Sequence, residues 1–179
     1  SEHVRMACSC VQEIAPAGGS VRIMNKDFFA VDWDRVLESL PDPLLVIGNP
    51  PWVTNAELGR IGSNNLPDKS NFQNRRGIDA ITGNSNFDIS EWMLNKALEW
   101  INGREATLAV LCKTAVARKV LHNAWKRGEH LKSSEIYRIE TSKYFDAAAD
   151  ACLLVITASL SNGSFDCQVH DSLEDTLPT

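Results

Sequence analysis

Residues 44–52 read LLVIGNPPW. Leu44, Leu45, Val46 and Ile47 have the length and composition of a buried strand. Gly48, Asn49, Pro50, Pro51 and Trp52 follow without a break. Proline carries no backbone N–H, so two in a row end any hydrogen-bonded ladder at that point. An amide, two stiff backbone units and a large aromatic therefore stand together where a strand stops.

Outward from this stretch, apolar strands alternate with helical segments. Toward the N-terminus, Glu2 to Ile14 has helical spacing, Pro16 to Gly19 ends it, and Val21 to Met24 reads as a short strand before Asn25-Lys26-Asp27-Phe28-Phe29. Val31 to Leu40 is a short helical or irregular connection closed by Pro41-Asp42-Pro43. Toward the C-terminus, Asp88-Ile89-Ser90-Glu91 has the D-x-x-E form of a capping box. Ile89, Trp92, Met93, Ala97, Trp100 and Ile101 follow at helical spacing, which makes Trp92 and Trp100 core residues. Thr107 to Cys112, Glu135 to Ile139, Ala151 to Ala158 and Phe165 to His170 read as further strands, with a helix from Lys113 to Lys126.

Strands separated by helices predict an α/β fold: a mostly parallel sheet with helices on both faces. Ligands in such sheets bind beyond the carboxyl ends of the strands. Asp27-Phe28, Asn49 to Trp52 and Lys113-Thr114 each follow a strand, so they are expected along one edge. Residues 53–86 are rich in Asn, Gly and Ser and lack periodicity. A loop of that length inside a domain is uncommon and usually functional or disordered. The expected organisation is one domain over 1–160 and a tail over 161–179.

The bulk composition narrows the function. The chain has 179 residues, 44% hydrophobic and 23% charged, as globular domains do. No apolar run approaches the ~20 residues of a membrane span, and SEHVRMACSC does not read as a signal peptide. The five cysteines, Cys8, Cys10, Cys112, Cys152 and Cys167, have no zinc-like spacing, and two sit in apolar runs. That predicts free thiols, no metal site and a reducing cytoplasm. A net charge of -5 argues against a module that grips nucleic acid alone. It leaves open a catalytic cleft fed by another domain.

Asn-Pro-Pro-Trp suits one chemistry well. A planar exocyclic amine is a poor nucleophile because its lone pair is delocalised into the ring. Two acceptors on its two N–H bonds draw it toward tetrahedral geometry. The Asn49 side-chain oxygen and the Pro50 carbonyl can be those acceptors, and Pro51 fixes the backbone without adding a donor. Trp52 supplies a flat face, on which base stacking is worth roughly 1–3 kcal/mol.

The stretch resembles the fourth motif, (N/D/S)-P-P-(Y/F/W), of S-adenosylmethionine-dependent amino methyltransferases. Other segments are similar to that family's motifs in order: MNKDFF (24–29) to the third, NFDISEWMLNKALEWI (86–101) to the fifth, ATLAVLCKTAVARKVL (106–121) to the sixth, and KYFDAAADACLLVITA (143–158) to the eighth. The order resembles the gamma class of DNA adenine-N6 methyltransferases, including restriction-modification methylases. The resemblance implies a Rossmann-like fold and direct methyl transfer from S-adenosylmethionine to a flipped-out adenine in DNA. It implies Asn49, Pro50, Pro51 and Trp52 as catalytic residues, and Trp52, Phe145 and Lys113 as substrate-binding residues. Asp27, Phe28, Asn49 and Phe87 would meet the cofactor. DNA is the implied partner, with an attached or separate restriction or specificity subunit.

Plainer roles stand beside these. Asn49 to Trp52 can simply end a strand, Asp27 cap a helix, Phe28 pack in the core and Phe87 staple a helix start. Lys113, Arg118, Lys119, Lys126, Arg127 and Lys132 can be a solvated face. The family's glycine-rich first motif has no match, since Gly18-Gly19 precedes a strand instead of following one. The expectation is therefore a fold without its first two strands, as in a portion of a larger methylase. Related amino methyltransferases acting on RNA adenine or protein glutamine, and a non-catalytic interaction domain, are the alternatives.

Overall fold

The computed structural model describes residues 21–52, 88–129, 131–145, 150–160, 163–175 and 178. They belong to two compact units, 1–32 and 33–179. The expected helix over 2–14 and the polar segment 53–86 lie outside the described residues.

In the first unit, Phe28–Ala30 form a single 3-10 turn capped by Asp27, whose Oδ1 accepts from the Phe29 N–H at 3.0 Å. The Phe28 and Phe29 rings meet edge to face at 5.6 Å. The strand expected at Val21 to Met24 does not form. A strand holds only when its backbone groups find a ladder, and among the described residues none pairs here; Val21 and Ile23 are exposed.

In the second unit the elements run α1 (Trp33–Glu38), β1 (Leu44–Gly48), α2 (Ile89–Ile101), β2 (Ala106–Lys113), α3 (Thr114–Arg127), β3 (Leu131–Glu140), α4 (Thr141–Phe145), β4 (Asp150–Ala158) and β5 (Gln168–His170). The sheet order is β1-β2-β4-β3-β5. β1 is parallel to β2, β4 antiparallel to both β2 and β3, and β5 parallel to β3. β1, β2, β3 and β5 thus share one direction and β4 alone is reversed. The expectation of a mostly parallel sheet holds in that sense. The short α4 link lets β4 return antiparallel to β3, where a parallel return would need a longer crossover.

Helix ends follow their local sequence. Asp88 caps α2 by accepting from the Ser90 N–H at 3.0 Å and the Ser90 hydroxyl at 2.6 Å. Glu91, the expected partner in a capping box, is buried and receives Lys119 of α3 at 2.7 Å, so it braces two helices. Gly128 ends α3 at φ +74°, a left-handed conformation that disfavours side chains. Arg104 clamps the turn before β1, donating to Asp42 at 2.7 Å and to the Leu40 carbonyl at 3.1 Å.

Alternation along β2 places Ala106, Leu108, Val110 and Cys112 in the core. They join Leu94, Leu98 and Ile101 of α2, Val120, Leu121 and Ala124 of α3, and Leu154 and Ile156 of β4. Each large buried aliphatic contributes about 1.5–3 kcal/mol. Trp100 packs on Trp33 with ring centroids 5.1 Å apart, as its helical stripe predicts. The expectation of helices on both faces is met on one face only among the described residues. On the opposite side of β1, Leu45 is 61% and Ile47 71% exposed.

Candidate active site at the carboxyl edge of the sheet

Strand direction gathers the site residues. β1 and β2 end at Gly48 and Lys113, β3 ends at Glu140, and β4 begins beside them at Asp150. Asn49 to Trp52 and Lys113-Thr114 therefore leave the sheet at one edge, as the sequence pattern led one to expect; α4 starts at the same edge, and Asp27-Phe28, expected there too, follow no strand among the described residues.

The β1–β2 ladder stops at Gly48 paired with Val110, just before the amide and the two prolines. Asn49 is exposed, Pro50 is buried, Pro51 is exposed and Trp52 is half-buried. The buried proline anchors the turn while Asn49 presents its amide outward. The Trp52 indole nitrogen is enclosed and has no hydrogen-bond partner among the described residues.

Lys113, the last residue of β2, connects these pieces. Its ammonium donates to the Trp52 carbonyl at 3.2 Å and to Asp88 Oδ2 at 2.9 Å. Next along the chain, the Thr114 hydroxyl donates to Asp150 Oδ1 at 2.7 Å, tying α3 to the start of β4. Beneath them, Cys112 and Cys152 are cross-strand neighbours, both free and wholly buried. Their mutual hydrogen bond, followed by burial, holds the Cys112 thiol far above its ordinary value. Both thiols are buried, and Cys112 packs beneath the site as part of the core.

Not every candidate reaches this edge in view. Asp27 and Phe28 belong to the first unit. Phe87 lies outside the described residues. Phe145 ends α4 by its backbone, and its side chain lies outside the described residues. The sequence did not single out Asp88, Thr114 or Asp150 as site residues. Asp88 carried a signal only as a helix cap, and the pairing of Thr114 with Asp150 depends on a strand register that no local pattern encodes. The basic cluster keeps largely to the surface, as a solvated face does: Arg118, Lys119, Lys126, Arg127 and Lys132 are exposed, although Lys119 pairs with Glu91 at 2.7 Å and Arg127 with Glu129 at 2.6 Å.

Among the described residues no helix is long and apolar enough to cross a membrane, and no group of His, Cys, Asp and Glu could hold a metal ion.

No family model matches the chain. A curated relative, the Type II methyltransferase M.NspV of Nostoc sp., is 46% identical over 148 residues. That match covers 83% of this chain and 31% of the relative, so the chain spans about a third of the relative's length. A solved structure of the Type IIL restriction-modification enzyme MmeI in complex with DNA is similar in fold, with a TM-score of 0.51 and 16% identity. The likeness covers 98% of this chain and 24% of that one. Over 83% of its length the chain is therefore homologous to a stretch of a Type II methyltransferase, a stretch about a third as long as that relative.

Proposed function

We propose that the chain carries the acceptor site of a DNA adenine-N6 methyltransferase that uses S-adenosylmethionine. The observation that supports this most is the Asn-Pro-Pro-Trp segment, which leaves β1 at the carboxyl edge with the Asn49 amide exposed and Pro50 buried. The relationship to a Type II methyltransferase supports DNA as the substrate. The finer choice of adenine-N6 rests on the motif order.

Asn49 Oδ1 and the Pro50 carbonyl accept the two N–H bonds of the target amine. Aimed before substrate arrives, they need no reorganisation during transfer. Trp52 stacks on the extruded base and Phe145 closes on its other side, which partly offsets an extrusion cost of a few kcal/mol. The donor set suits the cofactor's adenosine half. Asp27 is exposed and held in place by the Phe29 N–H, and the Phe28 ring beside it is half-buried. A carboxylate accepts hydrogen bonds from an adenosine and an aromatic ring covers its base. When bound, the cofactor supplies a methyl group on a sulfonium centre.

Nucleoside analysis of DNA methylated by a protein carrying this chain tests the reading. N6-methyladenine is expected. 5-Methylcytosine, or label on RNA or protein with none on DNA, would overturn it.

A further inference from the structure

We infer that Lys113 is a positioning residue: its ammonium, anchored on Asp88, holds the Trp52 backbone and so sets the Asn49 to Trp52 segment. The inference rests on the proposed role of that segment and adds to it the device that keeps it in place.

The need for such a device follows from the sequence. β1 stops pairing with β2 at Gly48, and Pro50 and Pro51 have no N–H with which to continue. The segment leaves the sheet just where aim matters most, and backbone donors cannot secure it. β2 runs on past Val110, its last residue paired with β1, to Lys113, which brings an ammonium with three donors alongside. One donor reaches the Trp52 carbonyl at 3.2 Å. Among the described residues the indole N–H of Trp52 has no partner, and its carbonyl is held by Lys113.

A lysine on a flexible stem holds position only if its charge is itself anchored. Asp88 does this at 2.9 Å, with a side chain only 12% exposed against 38% for Lys113. Asp88 is in turn fixed by the Ser90 amide and hydroxyl. The chain of contacts runs from the N-terminus of α2 through Asp88 and Lys113 to the Trp52 carbonyl. An ammonium committed to a carboxylate and a carbonyl is a poor free hand for a DNA phosphate, the other role open to Lys113.

The test labels the five tryptophans with 5-fluorotryptophan and follows them by fluorine NMR in the 179-residue chain. Trp52→Phe assigns the Trp52 line. Lys113→Met is expected to shift or broaden that line while the other four hold. Asp88→Asn keeps a capping oxygen but removes the anchoring charge, and is expected to move the same line. An unmoved Trp52 line in both variants overturns the inference. Should Lys113→Met fail to fold, Asp88→Asn decides alone. This readout requires no methyl transfer, so its failure and that of the proposed function are distinguishable. In a methylating protein carrying this chain, Lys113→Met is expected to lower kcat about 10- to 100-fold, leaving the salt dependence of DNA affinity unchanged. A salt slope reduced by about one with kcat intact would assign Lys113 to a phosphate instead.

Discussion

At the scale of single residues, the proposed site separates acceptors from the plate on which the base lies. In the proposed role Trp52 acts through a flat face, so Trp52→Phe is expected to keep much of the activity. Trp52→Ala loses roughly 1–3 kcal/mol of base stacking, read as a fall in kcat/KM. Equal kcat/KM for Trp52→Ala and the parent would remove Trp52 from the substrate. Cys167 gives a second residue-scale expectation. Burial, the largest cause, holds its thiol up to about 11 against an ordinary 9.0. Above pH 9 the unfolded chain ionises this thiol and the folded chain resists, so stability falls from pH 9 toward about 11. In Cys167→Ala that alkaline decline is expected to be shallower, measured by urea unfolding at several pH values. Tyr137, raised chiefly by its hydrogen bond to Glu135, retains its part of the decline.

The elements show what could be read in advance and what could not. α2, β2, α3 and β4 were legible because long runs carry a clear period: 3.6 in the helices, and continuous apolar character in strands flanked by packing. The Asn-Pro-Pro-Trp segment was legible because two prolines leave few backbone options. Val21 to Met24 misled because three apolar residues around Arg22 describe a strand only if a neighbour pairs with them. The reversed direction of β4 was not legible, since parallel and antiparallel strands share the same side-chain alternation. Nor was the burial of Glu91, whose partner Lys119 lies on the next helix. Three substitutions test this reading of the elements. Gly128→Ala places a methyl at φ +74° with open space around it, so only backbone strain acts, at about 1 kcal/mol. Leu108→Ala, at a position with no exposure, is expected to cost about 2–5 kcal/mol, whereas exposed Ile47→Thr stays within about 0.5 kcal/mol. Thermal or urea unfolding reads all three.

Over the whole molecule, the sheet brings the proposed acceptor site to one edge, and the reversed β4 starts at that same edge, after α4. The chain spans about a third of its curated relative and carries no match to the family's glycine-rich motif. Its affinity for S-adenosylmethionine by calorimetry is therefore expected to be weaker than about 0.1 mM. Micromolar binding would point to a cofactor site built from other residues than those named. With a net charge of -5, tight DNA binding by these 179 residues alone is likewise not expected.

The most direct measurement is the rate of methyl transfer from S-adenosylmethionine to adenine-containing duplex DNA by a protein carrying this chain, with Asn49 intact and with Asn49→Ala. Asn49 is exposed, so the variant is expected to keep its fold and melting temperature. Loss of a preorganised group acting on the reacting amine predicts a fall in kcat of about 100- to 1000-fold. An undiminished kcat in the folded variant would contradict the acceptor role of Asn49, and with it the function proposed for this edge of the sheet.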